Sequence, residues 1–564
     1  MAKTVTNSEL RFDVGANPIR YCGMQKVYPF SRDRVVEINL HHQHVLEMYD
    51  LELVGGTAIC LADRLNERSN LGALRNRKLR EAAVASAALS AVAVSLHGRG
   101  SLAALPKDKQ TKEVANELKR ANDRTSAQVM AEVLQTTTET LSIGEEVLIE
   151  STITEGVRAK PGKEVGGNPT IAVGALFGKK EHRARYGLDL GKDVTLLSMG
   201  NDVIDGTTKS VKGLHSSMTC MFLIESQVKR HLPDIYVQRW MGGAHFDEFN
   251  PREGTLLDAA RVIADSYGFA DLSELSAFFI DRSRHYPAWD TLGAAGIGIP
   301  YDADGDLFPA LLLGLEGMRF PNGRHMNSMI GEIGGSAEWV VGALPLVWRG
   351  GQALGMLTSH SSLSRRDLSP EDLWNSRFHY TEDELIMIQD ARFQQKPYFS
   401  VKDIIENPHA GGISAFGAIT DSVYLPFMKG VQFDPDKGKI SVWTLVINSL
   451  GLMEVWEMHF ACRTSLAHTR ALIASPKERL AGLRGKALEA AIGKMLDDPR
   501  EERRYRIFFN NEYYPALVPI REKVALLGQA LEGLIARGAL NDQDREIIDL
   551  TARLAPEWWV ENGR

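Results

Sequence analysis

The stretch Val194-Thr-Leu-Leu-Ser-Met-Gly-Asn-Asp-Val-Ile-Asp-Gly-Thr-Thr208 joins an apolar run to a group of polar side chains. The apolar run, 194–197, predicts a buried strand. Asp202 and Asp205 follow it, on either side of the backbone carbonyl of Ile204. Mg²⁺ and similar cations bind several oxygen ligands, which these three groups can supply. An Asp-Gly turn with solvated carboxylates would have the same spacing, so the spacing alone leaves both interpretations open.

The residues that come next, Gly206, Thr207 and Thr208, place three backbone amides directly after the second aspartate. Glycine lets the backbone approach a ligand closely, and successive N–H groups in a turn can donate hydrogen bonds to a phosphate. The segment therefore predicts a phosphate site beside the metal site.

Further along the chain, strand-like and helix-like segments alternate. Thr255 predicts the N-terminal cap of a helix, and Gly268 predicts its C-terminal stop. Two short apolar runs, 277–280 and 297–299, then predict strands on either side of a helix around 289–292. Strand, helix, strand is the unit of a parallel sheet, so we predict an α/β fold.

Two more carboxylates lie beside glycines. Glu145 stands in the segment Ile143-Gly-Glu-Glu146, and on its own it would be a surface residue. Glu338 ends the segment Ile333-Gly-Gly-Ser-Ala-Glu338, in the predicted first turn of a helix, where the helix dipole favours a carboxylate.

Charged residues also follow the two short strands. Arg282 and Arg284 come after the first strand, where arginines can bind a phosphate through two hydrogen bonds each. Asp304 and Asp306 come after the second, in an Asp-Gly-Asp segment suited to a metal or to sugar hydroxyls. Because ligands of open α/β sheets bind beyond the carboxyl ends of strands, we expect these groups near one site.

Composition excludes several classes of protein. The 564 residues include 65 basic and 72 acidic side chains, a net charge of −7, so we expect no nucleic-acid and no membrane partner. Hydrophobic residues make up 44%, ordinary for a globular chain of about two to four domains. The four cysteines are too few for a disulfide framework and indicate a cytoplasmic protein. The apolar run 82–96 is shorter than the roughly 20 residues of a membrane span and predicts a buried helix.

The C-terminal stretch, 464–564, is predicted to be almost wholly helical. Ser475 and Glu478 form a capping box, and amphipathic stretches follow at 520–535 and 544–554. The pattern favours a helical packing or oligomerisation module.

Taken in order, these segments resemble the class II, GlpX-type fructose-1,6-bisphosphatases, which belong to the lithium-sensitive, metal-dependent sugar and inositol phosphatases. The resemblance extends over about 95–460. The segments that carry it, with the family's own motif in brackets, are Ile143-Gly-Glu145 (IGEGE), Asp202-Val-Ile-Asp205-Gly-Thr207 (DPIEGT or DPIDGT), Pro233-Asp-Ile-Tyr236 (PDMY), Leu272-Ser-Glu-Leu275 with Arg282-Ser-Arg284-His285 (LSEL and KPRH), Asp304-Gly-Asp306 (DGD), Ile333-Gly-Gly-Ser-Ala-Glu338 (GIGGAPEG) and Gly417-Ala-Ile-Thr-Asp421 with Lys429-Gly-Val431 (ATGITKGDLLKGV).

The resemblance implies a mixed α/β fold, a five-layer αβαβα sandwich. It places a metal-binding subdomain at 96–270 and a second α/β subdomain at 271–463. The N-terminal region, 1–95, and the helical C-terminal extension, 464–564, are additions to that body.

The resemblance also implies two or three Mg²⁺ or Mn²⁺ ions and a site for a sugar phosphate. The expected metal ligands are Asp123, Glu145, Asp202, Ile204, Asp205 and Glu338. Glu113 is a rival for Asp123, because the preceding Asp108-Lys-Gln-Thr resembles the family's DKNT. Thr207 is expected to position the attacking water and to act in catalysis with Asp202 and Glu145. The expected substrate-binding residues are Gly206, Thr207, Thr208, Tyr236, Arg282, Arg284, Asp304 and Asp306.

The implied activity is hydrolysis of fructose 1,6-bisphosphate to fructose 6-phosphate, and of sedoheptulose 1,7-bisphosphate as well, by a homodimer or homotetramer. The sequence departs from the family at IGEGE, which reads Ile-Gly-Glu-Glu here, at the signature proline, which is Val203, and at the lysine replaced by Arg282. A segment of roughly thirty extra residues lies between 150 and 194. Two alternatives therefore stay open: the same chemistry on another sugar or cyclitol phosphate, and a non-catalytic binding protein.

Overall fold

The computed structural model describes most of the chain. The described residues are 36–37, 43–62, 77–142, 144–156, 168–188, 190–191, 193–230, 232–242, 249–313, 327–388, 391–425, 427–513 and 541–556. The amphipathic stretch predicted at 520–535 lies outside them.

Sixteen strands are present in the described residues. They are β1 (Val36–Glu37), β2 (Leu51–Ala62), β3 (Val147–Thr154), β4 (Leu176–Phe177), β5 (Thr195–Asp205), β6 (Met218–Ile224), β7 (Tyr236–Gly242), β8 (Phe279–Ile280), β9 (Tyr301–Asp302), β10 (Ser328–Gly335), β11 (Gln352–Thr358), β12 (Tyr398–Ser400), β13 (Gly412–Ala418), β14 (Gln432–Asp434), β15 (Lys439–Asn448) and β16 (Met453–Cys462).

The α-helices of the same residues are α1 (Gln43–Glu47), α2 (Arg77–His97), α3 (Lys112–Glu139), α4 (Lys180–Ala184), α5 (Thr207–Lys212), α6 (Leu256–Tyr267), α7 (Tyr286–Ala294), α8 (Leu307–Leu312), α9 (Ser336–Trp348), α10 (His360–Leu363), α11 (Pro370–Asn375), α12 (Glu382–Met387), α13 (Ala391–Gln395), α14 (Val401–Ile404), α15 (Leu466–Ile473), α16 (Pro476–Leu480), α17 (Gly485–Asp497), α18 (Pro499–Tyr513) and α19 (Asp542–Leu554). Short 3-10 turns lie at Lys107–Lys109, Leu272–Glu274, Ser283–His285 and Ser376–Phe378.

Two sheets organise these elements into a mixed α/β fold. The larger has ten strands in the order β1-β2-β16-β15-β13-β6-β5-β3-β4, with β14 added beside β15. Its strands pair antiparallel except β3 and β5, which are parallel. The smaller sheet has the order β10-β7-β11-β12, and β8 and β9 form a parallel pair.

Helices cover both faces of each sheet. Helices α2 and α3 pack on each other and on the outer face of the large sheet, around an alanine- and valine-rich core. Helices α8 and α9 lie between the two sheets, where Trp339, Val340 and Leu344 are completely buried. Helices α6 and α7 cover the remaining face of the small sheet. Apolar area is therefore removed from water on every sheet face, which is the main source of stability in such layers.

The predicted strand–helix–strand unit is present, but its second strand lies at Tyr301–Asp302 instead of 297–299. Thr255 accepts a hydrogen bond from Asp258 N at 3.2 Å and α6 begins at Leu256. Gly268 ends that helix with a φ of 70°, the left-handed region that glycine adopts without strain. Strands β8 and β9 are parallel neighbours, with Phe279 opposite Tyr301.

The N-terminal region contributes to the large sheet. Strand β2 pairs with β16 along its whole length, from Leu51 opposite Cys462 to Ala62 opposite Met453. The large sheet therefore takes strands from the N-terminal region as well as from the predicted subdomains at 96–270 and 271–463.

Helix α2 is the run that was predicted to be a buried helix. Between Lys78 and His97 it is long and apolar enough to cross a membrane by length and composition, but 83% of its most apolar window is buried inside the protein. It packs against α3, β6 and β13, so its apolar surface belongs to the core.

The C-terminal helices dock on α3. The capping box at Ser475 is confirmed, but its helix ends at Leu480, and residues 481–484, which include Gly482, separate it from α17. From α18, Arg504 Nε donates to Glu132 Oε1 of α3 at 2.9 Å, and both side chains are almost completely buried. The adjacent Arg503 pairs with Glu139 of α3 at 2.8 Å, but that pair is about a third exposed.

These neighbouring pairs give a matched stability test. We expect Arg504→Met to lower the free energy of unfolding by about 3–5 kcal/mol, because it leaves the buried Glu132 without its cationic partner. Arg503→Met should lower it by less than about 1 kcal/mol, since water screens that pair. Urea denaturation of both variants measures the difference, and equal losses would show that the buried pair does not hold α18 on α3.

Candidate active site

A cavity of about 250 Å³ opens at the carboxyl ends of β3 and β5. Parallel strands end at the same edge of a sheet, which explains why polar residues from distant parts of the chain meet there. The acidic lining is Asp123, Glu155, Asp202, Asp205, Asp304, Asp306 and Glu338, and the predicted residues Ile204, Gly206, Thr207, Thr208 and Arg282 line it as well. Asn116 and Lys119 of α3 complete one wall.

A bulge in β5 brings Asp202 and Asp205 to this cavity. Along β5, Asp202 pairs with Cys220 and Asp205 with Met218, so three residue steps on β5 oppose two on β6. Residues three apart on a regular strand point to opposite faces, but the extra residue of a bulge turns both to the same face. The apolar run predicted as a strand thus extends through both aspartates.

The two aspartates lie in an unfavourable electrostatic environment. Burial raises the pKa of Asp202 well above its usual value, and the neighbouring carboxylates of Glu338 and Asp205 raise it further. Burial and Glu338 also raise the pKa of Asp205 to about 7, although Lys209 opposes the shift. Negative charge in this cavity therefore exceeds what the surrounding protein compensates.

This donor set fits a divalent cation. Asp205 Oδ2 is buried and accepts no hydrogen bond, and carboxylate and carbonyl oxygens are the ligands that Mg²⁺ and similar ions take. Among the described residues, no group of three or more Asp, Glu, His or Cys side chains is arranged to hold an ion as it stands. The individual ligand assignments therefore stay predictions.

Glu145 is not part of the cavity. It lies two residues before β3, its side chain is 42% exposed, and its Oε2 accepts a hydrogen bond from Lys78 Nζ at 2.6 Å. The ten residues from Glu145 to Glu155 span β3, about 30 Å of extended chain, so the two glutamates lie at opposite ends of that strand.

Glu155 takes the place expected for Glu145. Its backbone N donates to Asn201 O of β5 at 3.1 Å, and its side chain lines the cavity. A Cβ on Gly335 would lie 3.0 Å from Glu338 Oε2 and 3.1 Å from Glu155 Oε2, so this glycine lets two carboxylates converge. The sequence did contain a signal, because Glu155-Gly156 keeps the glutamate–glycine pair of IGEGE that Glu145-Glu146 lacks.

Asp123, rather than Glu113, faces the site. Glu113 lies exposed in the first turn of α3, whereas Asp123 is buried three turns later and lines the cavity. Thr207 Oγ1 lies between Asp123 Oδ1, at 3.4 Å, and Ile204 O, at 3.1 Å. The threonine that is expected to position a water therefore contacts one predicted metal ligand and the carbonyl of another.

Asp304 links the predicted phosphate-binding groups. Its Oδ2 accepts from Thr208 N at 3.1 Å, and its Oδ1 accepts from Arg282 Nη2 at 2.9 Å. The carboxylate of Asp304 thus accepts from two of the donors predicted to hold a phosphate. Both donors reach the same carboxylate, so they are close enough to bind one anion together.

Tyr236 and Arg284 are not brought to the cavity. Arg284 donates through Nε and Nη2 to Ile333 O, at 2.9 and 2.7 Å, and its guanidinium stacks 4.6 Å from the ring centre of Tyr236. Both residues support the end of β10, which leads into Glu338, instead of lining the site. The contact with the sugar phosphate that the resemblance implies for them is therefore not supported by the lining of the cavity and stays a prediction.

Sequence reasoning missed Arg239, which is completely buried in the middle of β7. Its Nη1 lies 2.5 Å from Asp306 Oδ2, and its Nη2 lies 2.9 Å from Glu338 Oε2. Glu332 of β10 lies 3.3 Å from its Nε. The only local signal was a charged residue within an otherwise largely apolar strand.

A second buried base lies on the other side of the site. Lys209 Nζ donates to Asp302 Oδ2 at 2.6 Å, and Tyr424 Oη donates to the same oxygen at 2.8 Å. These contacts hold the start of α5 against the loop that carries Asp304.

Comparison with known proteins places the chain in a family. The sequence profile of the bacterial fructose-1,6-bisphosphatase family, glpX-encoded, matches residues 119–452. Two relatives from Synechococcus sp., strains JA-2-3B'a(2-13) and JA-3-3Ab, are each named D-fructose 1,6-bisphosphatase class 2/sedoheptulose 1,7-bisphosphatase. Each is 28% identical over 172 residues, which are 29% of this chain and 46% of the relative. The chain thus spans about half the length of these curated relatives. Since the profile covers more than half of the chain, the protein belongs to the bacterial, glpX-encoded fructose-1,6-bisphosphatase family.

Proposed function

We propose that this protein is a phosphatase that hydrolyses fructose 1,6-bisphosphate to fructose 6-phosphate and accepts sedoheptulose 1,7-bisphosphate as well. The observation that carries the proposal is the convergence of five carboxylates on one cavity in a chain of this family. These are Asp123, Glu155, Asp202, Asp205 and Glu338. The names of the relatives support the two substrates.

The family is metal-dependent, and the proposed ions are two or three Mg²⁺ or Mn²⁺. Asp202, Asp205 and the Ile204 carbonyl would hold them together with Glu155 and Glu338, and Asp123 would lie near the third. When bound, such ions lower the pKa of a water and stabilise negative charge on phosphate oxygens. The raised pKa values of Asp202 and Asp205 support this assignment, because a cation would relieve the repulsion that raises them.

The protein's own groups would orient the reactants. The Thr207 hydroxyl, held near Asp123 and Ile204 O, can donate to or accept from a water at the site. Arg282 and the Thr208 amide, now bound to Asp304, would bind a phosphate by exchanging one anion for another. Arg239 fixes the Glu338 side chain, since it donates to that carboxylate at 2.9 Å.

A second candidate is the same reaction on another sugar or cyclitol phosphate. It is favoured by Tyr236 and Arg284, which lie outside the cavity although the family resemblance assigned them to the substrate. A phosphate-release screen over sugar mono- and bisphosphates separates the candidates, and release from none of them would overturn both.

We also propose the layer arrangement, the cellular location and the oligomeric state of the protein. The order of helices and sheets supports a five-layer αβαβα sandwich. The buried thiol of Cys220 and the sugar-phosphate substrate support a cytoplasmic enzyme with no nucleic-acid or membrane partner. We propose a homodimer or homotetramer, as the resemblance implies.

We expect Asp202→Asn to abolish phosphate release from fructose 1,6-bisphosphate, because it removes a charged oxygen from the centre of the cluster. The assay measures inorganic phosphate with Mg²⁺ or Mn²⁺ present, and thermal unfolding confirms that the variant is folded. Activity near that of the wild type would contradict the assignment of the site.

Glu155→Gln and Glu145→Gln form a matched pair at the two ends of β3. We expect the first to lower kcat/KM by about 100-fold or more, since it removes a carboxylate from the cavity. The second should leave activity within about twofold, because Glu145 is a surface partner of Lys78. The reverse order of effects would restore Glu145 as the ligand.

The pH dependence of stability tests the carboxylate cluster without substrate. The folded protein holds the pKa of Asp205 at about 7, compared with 3.8 for an ordinary aspartate, so it binds more protons than the unfolded chain between these values. Stability of the metal-free protein should therefore fall as pH rises through this range. We expect the Tm in EDTA to fall less steeply for Asp205→Asn than for wild type, and Mn²⁺ to raise the Tm most near pH 7. Equal slopes for both proteins would contradict the raised pKa.

A further inference from the structure

The C-terminal helix α18 holds α3 along one face. Arg124 donates to both oxygens of Glu512, from Nε at 2.6 Å and from Nη2 at 2.8 Å. Two turns along, Glu132 accepts from Arg504, and Gln128 Nε2 donates to Arg504 O at 3.0 Å. The α3 residues in these contacts are spaced by four, so they share one face of the helix.

The next face of α3 carries the active-site residues. Asp123 lines the cavity directly beside Arg124 in sequence. Asn122 Nδ2 donates to Ser210 Oγ at 2.9 Å, and Ser126 Oγ donates to Val203 O of β5 at 2.6 Å. The helix thus contacts the metal-site segment on one face and α18 on another, and α2 packs along it as well.

The contact between Arg124 and Glu512 is well suited to fix a helix. The Glu512 side chain is only 3% exposed, and it also accepts from Lys477 Nζ at 2.6 Å. Burial opposes its ionisation, but Arg124 and Lys477 outweigh burial and lower the pKa of Glu512, so it remains charged. Two parallel hydrogen bonds to a charged, buried carboxylate restrain direction as well as distance.

We infer that Glu512 is a positioning residue for the metal site: through Arg124 it sets the rotation of α3 and so the place of Asp123. This inference rests on the proposed function. A carboxylate on a helix lies about 5–6 Å from the helix axis, so a rotation of about 10° moves it by about 1 Å. Metal ligands must be placed within about 0.2 Å, so a small loss of restraint on α3 affects the site.

This role gives the C-terminal region a place in the enzyme. The family profile ends at 452, whereas Lys477, Arg504 and Glu512 all lie beyond it. The region that the sequence suggested as a packing or oligomerisation module would therefore complete the support of the active site within one chain.

The test is Mn²⁺ binding to the full-length protein, followed by electron paramagnetic resonance without substrate. We expect Glu512→Gln to weaken the binding of one ion by about tenfold, the range seen when groups that orient ligands are removed. Arg503→Met, which removes an exposed contact between the same two helices, should leave binding unchanged.

A double-mutant cycle with Asp123→Asn supplies the decisive readout. If Glu512 acts through Asp123, adding Glu512→Gln to Asp123→Asn lowers the Mn²⁺ affinity little further. If Glu512 has only a general structural effect, the affinity losses of the two variants add.

The outcomes separate this inference from the proposed function. The inference alone would be overturned if the wild type binds Mn²⁺ and Glu512→Gln binds it with the same affinity. It would also be overturned if the affinity losses of Glu512→Gln and Asp123→Asn are fully additive. No Mn²⁺ binding by the wild type would overturn both. If Glu512→Gln does not fold, Arg124→Lys tests the same link, since lysine keeps the charge but loses the paired hydrogen bonds. We expect Arg124→Lys to weaken Mn²⁺ binding, but by less than the roughly tenfold expected for Glu512→Gln. An affinity equal to that of the wild type would overturn the inference.

Discussion

Repulsion among the carboxylates around one cavity is the constraint on which the rest of this structure depends. Burial and mutual charge raise the pKa of Asp202 and Asp205, so the folded chain holds these groups where they are least stable as anions. Such crowding persists only because the surrounding layers over-determine the backbone that carries it. The bulge in β5, the glycine at 335 and the long helix α3 each direct one part of the chain toward this point.

Basic side chains of the protein neutralise part of this negative charge, and the rest faces the cavity. Arg239 is buried among Asp306, Glu332 and Glu338, and Lys209 is paired with Asp302. These two bases pair with acids of β9, β10 and α9 and with Asp306. The carboxylates of β5 face the cavity with less compensation, which is where bound cations would act. The basic side chains thus neutralise only part of the acidic cluster, and Asp202 and Asp205 keep uncompensated charge.

Signals that act over a few residues could be predicted from sequence. The cap at Thr255 and the stop at Gly268 gave the helix that the structure has, and Asp202 with Asp205 was recognised because both lie in one short segment. Glu145 lies away from the cavity and Glu155 lines it, because glutamates flank both ends of β3 and only strand pairing decides which end faces the cavity. Arg239 could not be recognised, since its acidic partners lie 67 and 99 residues away.

The pairing of β2 with β16 has a consequence for how the chain is made. Strand β2 has 12 residues, and its partner on one side is β16, which begins at Met453. About 400 residues separate them, so at 5–20 residues per second the ribosome needs about 20–80 s to deliver the partner. During that time a largely apolar strand edge waits unpaired, and such edges recruit other chains. Synthesis rate and chaperone capacity, more than equilibrium stability, would then set how much of this protein a cell recovers.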